Sequence, residues 1–224
     1  MRIIARIYTD FDEKFGIPRQ SGMVEDAMGM IVFEPEYRNP DAVRGLEQFS
    51  HLWIIWQFSG FVRDGWHATV RPPRLGGNKS VGVFATRSPL RPNPVGLSSV
   101  KLKSVEISAE NGPCIIVSGV DMLNGTPIYD IKPYLAYTDS HPDAADGFAG
   151  DGLDHVLDVV DEANLLSAVD DGKRMVITHL LSLDPRPSYI ADPAREYGMS
   201  YGGVNVRFTV EDNTLFIKKI DVAE

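Results

Sequence analysis

Apolar positions in the first 135 or so residues fall in short runs separated by turn formers. Met1 to Tyr8, Met28 to Phe33, Leu52 to Phe58, Ser80 to Thr86, Leu97 to Ile107, Cys114 to Val120 and Ile128 to Ile131 each read as a strand. Their brevity, their β-branched and aromatic content and the regular turns between them predict an antiparallel barrel or sandwich. Between Val100 and Ile107, Val100, Leu102, Val105 and Ile107 sit among Lys101, Lys103, Ser104 and Glu106, and the step from Leu102 to Val105 breaks period two, which predicts a bulge.

Beyond Asp139 the period changes. Leu153, Val156, Leu157, Val160, Ala163, Leu166 and Val169 recur at helical spacing, predicting a helix that ends at the turn from Asp170 to Gly172. A shorter helix is predicted from Arg174 to Ser182, stopped by the DPRP of Asp184 to Pro187. Val204 to Val210 and Leu215 to Ile220 then predict a hairpin turning at Asp212 and Asn213.

Charge changes the picture more than composition does. The 224 residues are 43% apolar and 24% charged, ordinary for a globular chain with a sizeable core. The net charge of −9 hides a segment, 63–103, that carries +7, against −16 for the rest. In that segment Arg71, Arg74, Lys79, Arg87 and Arg91 are interleaved with prolines at 72, 73, 89, 92 and 94. Proline fixes φ and turns the preceding residue away from the helical region, so 86–96 is a stiff loop whose arginines are suited to a phosphate, carboxylate or nucleotide. From Asp139 to Asp171 there are ten acids and no Lys or Arg, the mark of a linker and a solvated face. No run approaches the ~20 apolar residues that cross a bilayer, and Met1 to Tyr8 lacks a signal-peptide core, so a cytoplasmic protein without a membrane partner is expected. Cys114 reads as a small buried strand residue, and the five histidines show no metal-ligand spacing, so no metal is expected.

The common templates are absent: there is no GxGxxG, GxSxG or HExxH, and GNKSVG at Gly77 to Gly82 lacks the Lys and Ser/Thr of a phosphate loop. Two further segments carry candidate chemistry. NGTPIYDIKPY, Asn124 to Tyr134, joins an Asn-Gly turn to a strand on which Asp130, Lys132 and Tyr134 alternate onto one face. GIPRQSG, Gly16 to Gly22, holds Arg19 and Gln20 between turn formers.

Taken in order, PRQSG, FSHLW at Phe49 to Trp53, GWHATVRPPRLGGN, VGVFATRSPLRPNPVGL, GTPIYDIKPY, DPRP and NVRF at Asn205 to Phe208 resemble the blocks of the TrmO, or TsaA-like, methyltransferases. The resemblance implies a mainly β protein: a small antiparallel β-barrel over residues 1–140 that binds S-adenosylmethionine without a Rossmann sheet, then an acidic linker and a smaller α+β domain over 141–224. It implies N6-methylation of threonylcarbamoyladenosine beside the anticodon of tRNA, and a homodimer. Pro18, Arg19 and Gln20 match the first donor-binding loop, Arg87 and Leu97 the central block, and Gly125, Thr126 and Pro127 the third. Asn124 stands where many members have Asp, and Ser59 and Gly60 where His and a polar residue are usual; all three positions are carried over as donor-binding. Asp130 and Tyr134 are the candidates for accepting the N6 proton, and Arg71, Arg74, Lys79 and Arg91 for contacting phosphate. The alternatives are a donor-binding RNA or nucleotide sensor, and a methyltransferase of the same fold acting on another adenosine or a small molecule.

Overall fold

The computed structural model describes residues 1–61, 65–72, 79–150, 155–187 and 192–222. Arg74 lies outside them.

Strands β1 (Ala5–Thr9), β2 (Met28–Phe33), β3 (His51–Gln57), β4 (Thr69–Val70), β5 (Val81–Gly82), β6 (Val95–Ser108), β7 (Gly112–Ser118) and β8 (Thr126–Pro133) make up the first half. Six of them close an antiparallel barrel in the order β1-β2-β7-β6-β3-β8, so the open choice between barrel and sandwich resolves as a barrel. Closure gives each of these six strands a neighbour on both sides over at least part of its length. Along β3 the side chains alternate strictly, with Leu52, Ile54 and Trp56 buried inside and Trp53 and Ile55 turned outward. Ala5, Ile7, Ile31, Val100, Ile115, Val117 and Ile128 complete the interior. Gly96 lies opposite Trp56, and a Cβ there would stand 2.2 Å from the indole. The irregularity predicted on β6 is a register shift against β7 between Leu102 and Ser104.

The predicted strand from Ser80 to Thr86 is a correction. Of that span only β5 pairs as a strand, with β4 in a two-stranded ribbon. Val83–Ala85 turns into a 3-10 helix, because the Val83 carbonyl accepts from both the amide (3.1 Å) and the hydroxyl (2.8 Å) of Thr86.

After the short helix α1 (Ala136–Asp139) comes a second sheet: β9 (Asp158–Val160), β10 (Tyr197–Tyr201), β11 (Val204–Glu211) and β12 (Thr214–Val222), in the order β10-β11-β12-β9, with β9 parallel to β12. The helix predicted over 153–169 is therefore overturned for its described residues. Its acids have no Lys or Arg at helical spacing to pair with, and Asp161 instead accepts from the amides of Leu165 (2.9 Å) and Leu166 (2.8 Å), bending the chain into a 3-10 turn. The second predicted helix is α2 (Asp171–Ser182), started three residues earlier by Asp170 as N-cap, which accepts from Gly172 and Lys173. It buries Val176, Ile177, Leu180 and Leu181. The hairpin of β11 and β12 has the predicted turn, Asp212 taking φ +51°.

The loop 10–27 between β1 and β2 joins the two sheets. Phe11 packs edge-on against Tyr201 at 5.1 Å, Phe15 stacks on Tyr197 at 6.4 Å, and the Ser200 amide donates to Glu13 at 2.8 Å.

Candidate functional site

Between Val95 and Val100, β6 pairs with β3 on one side while its pairing with β7 begins only at Lys101. The GIPRQSG loop lies along that free stretch: Ser21 Oγ accepts from the Ser99 amide at 3.1 Å, and the Gly22 amide donates to Gly119 O at 2.8 Å. Gly22 holds φ +80°, which a residue with a Cβ rarely adopts. Pro18 is buried, and Arg87 donates to the side-chain oxygen of Gln20. Behind this pair a polar chain enters the barrel: Trp56 Nε1 donates to Ser98 Oγ (2.9 Å), and Ser98 Oγ donates to Asp121 Oδ1 (2.6 Å). Burial pushes the Asp121 carboxyl up to about 6, against the opposing pull of Ser98, the Ser21 backbone and the Arg87 charge. Ser98 and Asp121 were not among the sequence candidates.

Across the outer face, register places Leu97 opposite Ile55 and Ile55 opposite Asp130. Leu97 and Asp130 thus flank Ile55, about 10 Å apart at two strand spacings. Leu97 is 55% exposed, an apolar wall facing water. Asp130 Oδ2 pairs with Lys132 at 2.9 Å and Oδ1 accepts from the Ile131 amide. Tyr134 lies on the same side, its ring 5.4 Å from Trp53 and 6.2 Å from His51. Trp53 Nε1 donates to Asp139 at 2.7 Å, and this bond with that of the Leu135 amide holds the Asp139 carboxyl below its ordinary value, the backbone bond contributing most. The face therefore runs from Leu97 over Ile55 to Asp130 and Tyr134, and the loop that carries Gln20 is bonded to β6 two residues past Leu97, at Ser99.

The other sequence candidates are placed differently. Asn124 Oδ1 accepts from the Thr9 amide and its Nδ2 donates to Asp12, both at 3.2 Å, so the side chain ties β1 to the following loop. Gly125, at φ +75°, donates to Ile7 O; Thr126 and Pro127 are buried, and Thr126 Oγ1 is bonded to Leu123 O at 2.6 Å. These residues build the barrel end rather than the face. Ser59 and Gly60 are exposed in a short turn, where Gly60 O accepts from Lys14. Arg19 donates to Asp184 O at 3.2 Å, reaching the DPRP turn. There Asp184, at φ +50°, is gripped by Arg186 at 2.7 and 2.9 Å and by His155 at 3.1 Å. Burial alone would raise that carboxyl, yet these bonds outweigh it and hold it below its ordinary value. Lys14, Pro18, Arg19, Leu180 and Asp184 line a cavity of about 150 Å³ at this seam. Arg71 and Lys79 are exposed, whereas Arg91 spends its guanidinium on the carbonyls of Thr86 (2.7 Å) and Ser88 (3.4 Å). Among the described residues no cluster of His, Cys, Asp and Glu could hold a metal, and no helix is long and apolar enough to cross a membrane.

The outer face thus offers an exposed apolar side chain, Leu97, and near the same strand a cationic and amide pair, Arg87 and Gln20, a set of groups suited to a ligand with both an apolar and an anionic part.

Comparison with known proteins agrees with this architecture. The profile of the tRNA-methyltransferase O N-terminal domain matches residues 6–140, and that of the TrmO C-terminal domain matches 161–223. A tRNA (adenine(37)-N6)-methyltransferase of Escherichia coli (strain K12) is 40% identical over 217 residues, 93% of this chain and 92% of that protein. A protein of the same name from Eikenella corrodens is 43% identical over 178 residues, 79% of this chain and 99% of its own length. The crystal structure of TrmO from Pseudomonas aeruginosa superimposes with a TM-score of 0.78 at 31% identity, covering 99% of this chain and 95% of that one. The chain belongs to the TrmO family of tRNA methyltransferases.

Proposed function

We propose that this chain transfers a methyl group to N6 of adenosine 37 in tRNA, and that the adenosine it prefers is the threonylcarbamoyl-modified one. The single observation that carries the reading is the outer face on which Leu97 and Asp130 flank Ile55, with the loop of Gln20 bonded to the strand of Leu97 at Ser99, in a chain that the Escherichia coli and Eikenella corrodens proteins named tRNA (adenine(37)-N6)-methyltransferase match over 92% and 99% of their own length. S-adenosylmethionine, when bound, supplies an electrophilic methyl group on a sulfonium. The residues that would hold it are Pro18, Gln20, Ser21, Arg87 and Leu97.

The protein's own task is alignment. The N6–methyl bond forms as the sulfur–methyl bond breaks, so attacking nitrogen, methyl and sulfur must stand in line, and a loop pinned by Ser21 and Gly22 loses little entropy in holding one partner there. The N6 proton must then leave. Asp130, steadied by Lys132 and the Ile131 amide, is the acceptor in this reading, and Tyr134, fixed between Trp53 and His51, orients the base. Arg71 and Lys79 contact phosphates, while Arg91 stiffens the loop that carries Arg87. Residues 1–140 and 141–224 act as two domains in a cytoplasmic homodimer.

The test is transfer of labelled methyl from S-adenosylmethionine to tRNA with and without threonylcarbamoyladenosine. Incorporation into the modified tRNA alone supports the whole reading. Incorporation into both removes the finer substrate, and donor binding without incorporation into either removes the enzyme.

A further inference from the structure

The ribbon of β4 and β5 carries side chains that methyl transfer as described leaves unused. Trp66 and Phe84, just outside the two strands, are 49% and 70% exposed, yet their rings stack on each other at 5.9 Å with planes 27° apart. The guanidinium of Arg91 lies over the Phe84 ring at 5.8 Å. We propose that Trp66 and Phe84 form a stacking platform for one unpaired nucleobase of the RNA substrate, with Arg71 and Lys79 on the neighbouring phosphates. The proposal rests on the reading of the chain as an RNA-modifying enzyme and adds where the RNA is gripped.

Rigidity is the first argument. Phe84 sits in a turn anchored by fully buried Val83, whose amide donates to Ala68 O at 3.0 Å and whose carbonyl takes both bonds from Thr86. Arg91 ties Thr86 and Ser88 into the same turn. A Phe84 ring on so anchored a turn, with Trp66 stacked on it, keeps π surface in water at little ordering cost, as a base-stacking site requires. Charge is the second. Thr69 and Val70 pair with Gly82 and Val81, so exposed Arg71 and Lys79 emerge together at one end of the ribbon while Trp66 and Phe84 flank the other. They belong to the +7 segment of a chain whose remainder carries −16. A partner for such a surface is a polyanion with π faces, which describes single-stranded RNA. A second copy of the chain meeting this surface with its own would set like charges together.

The experiment is equilibrium binding of an anticodon stem-loop RNA to the full chain, followed by fluorescence anisotropy across a range of salt. Trp66→Ala and Phe84→Ala should each weaken binding about tenfold while leaving the slope of log affinity against log salt unchanged. The pair Arg71→Ala and Lys79→Ala should flatten that slope. Trp66→Phe should retain most of the affinity, with an unchanged melting temperature, which guards against misfolding as the cause. Removing one loop base from the RNA should cost the unaltered chain what Trp66→Ala costs, and cost the Trp66→Ala variant nothing further. Unchanged affinity in both alanine variants overturns the proposal. So does a loss that persists undiminished whichever loop base is removed, or a drop in assembly mass by light scattering with RNA affinity intact. Methyl transfer by the unaltered chain tests the functional reading separately, because the platform is judged from binding alone.

Discussion

Ionising Asp121 is harder in the folded chain than in water, because burial strips water from the carboxylate and the bond from Ser98 offsets only part of that cost. Its folded value of about 6 against an ordinary 3.8 means that between those pH values the folded chain keeps a proton the unfolded chain has shed. Stability from this group is thus full below about pH 4 and falls as pH rises to about 6, by about 3 kcal/mol at two pK units. Asp121→Asn keeps an acceptor for Ser98 and has no proton to lose. Melting temperatures taken from pH 4 to pH 7 should therefore decline less with pH in the variant than in the unaltered chain. The proposed role of Asp130 has a different signature: Asp130→Asn should reduce kcat by about 10²-fold or more while changing donor affinity, read by calorimetry, less than threefold. An unchanged kcat would remove Asp130 from the chemistry.

At the scale of elements, the strands were legible wherever alternation met a turn, as in β2, whose bounds the sequence pattern matches residue for residue. The segment 153–169 misled because its apolar spacing serves a helix and a short parallel strand followed by a 3-10 turn equally well. The arbiter, β12, lies more than fifty residues further along. The candidate site was legible in part for the same reason. Asp130 and Leu97 stand out by segment chemistry, but that they flank one residue of β3 is a matter of barrel register, which no local pattern carries. Ser98 and Asp121 gave only a faint signal, one of two adjacent serines in a strand with many polar residues and one acid after a Gly-Val step. The element most exposed to a single change is β6 at Gly96. Trp56 cannot swing aside from an added methyl without losing its bond to Ser98, so Gly96→Ala should destabilise the fold by about 1–3 kcal/mol, measured by urea denaturation.

At the scale of the whole molecule, the loop 10–27 binds the barrel to the second sheet among the described residues. Phe11 is 1% exposed, with the barrel on one side and Tyr201 on the other. Phe11→Ala should cost about 3–5 kcal/mol and speed amide exchange in β10 as well as β1. Faster exchange confined to β1 would show that the sheets open independently. The same loop runs from Phe11 through Pro18 to Ser21, so three of the residues proposed to hold the methyl donor, Pro18, Gln20 and Ser21, lie on one continuous stretch of backbone with those that cover the second sheet. A fragment cut before residue 155 would leave Phe11 and Phe15 without Tyr201 and Tyr197 and Arg19 without the Asp184 carbonyl. Such a fragment would be a sticky remnant rather than a minimal enzyme, and shortening this chain for engineering would have to begin by replacing two aromatic rings.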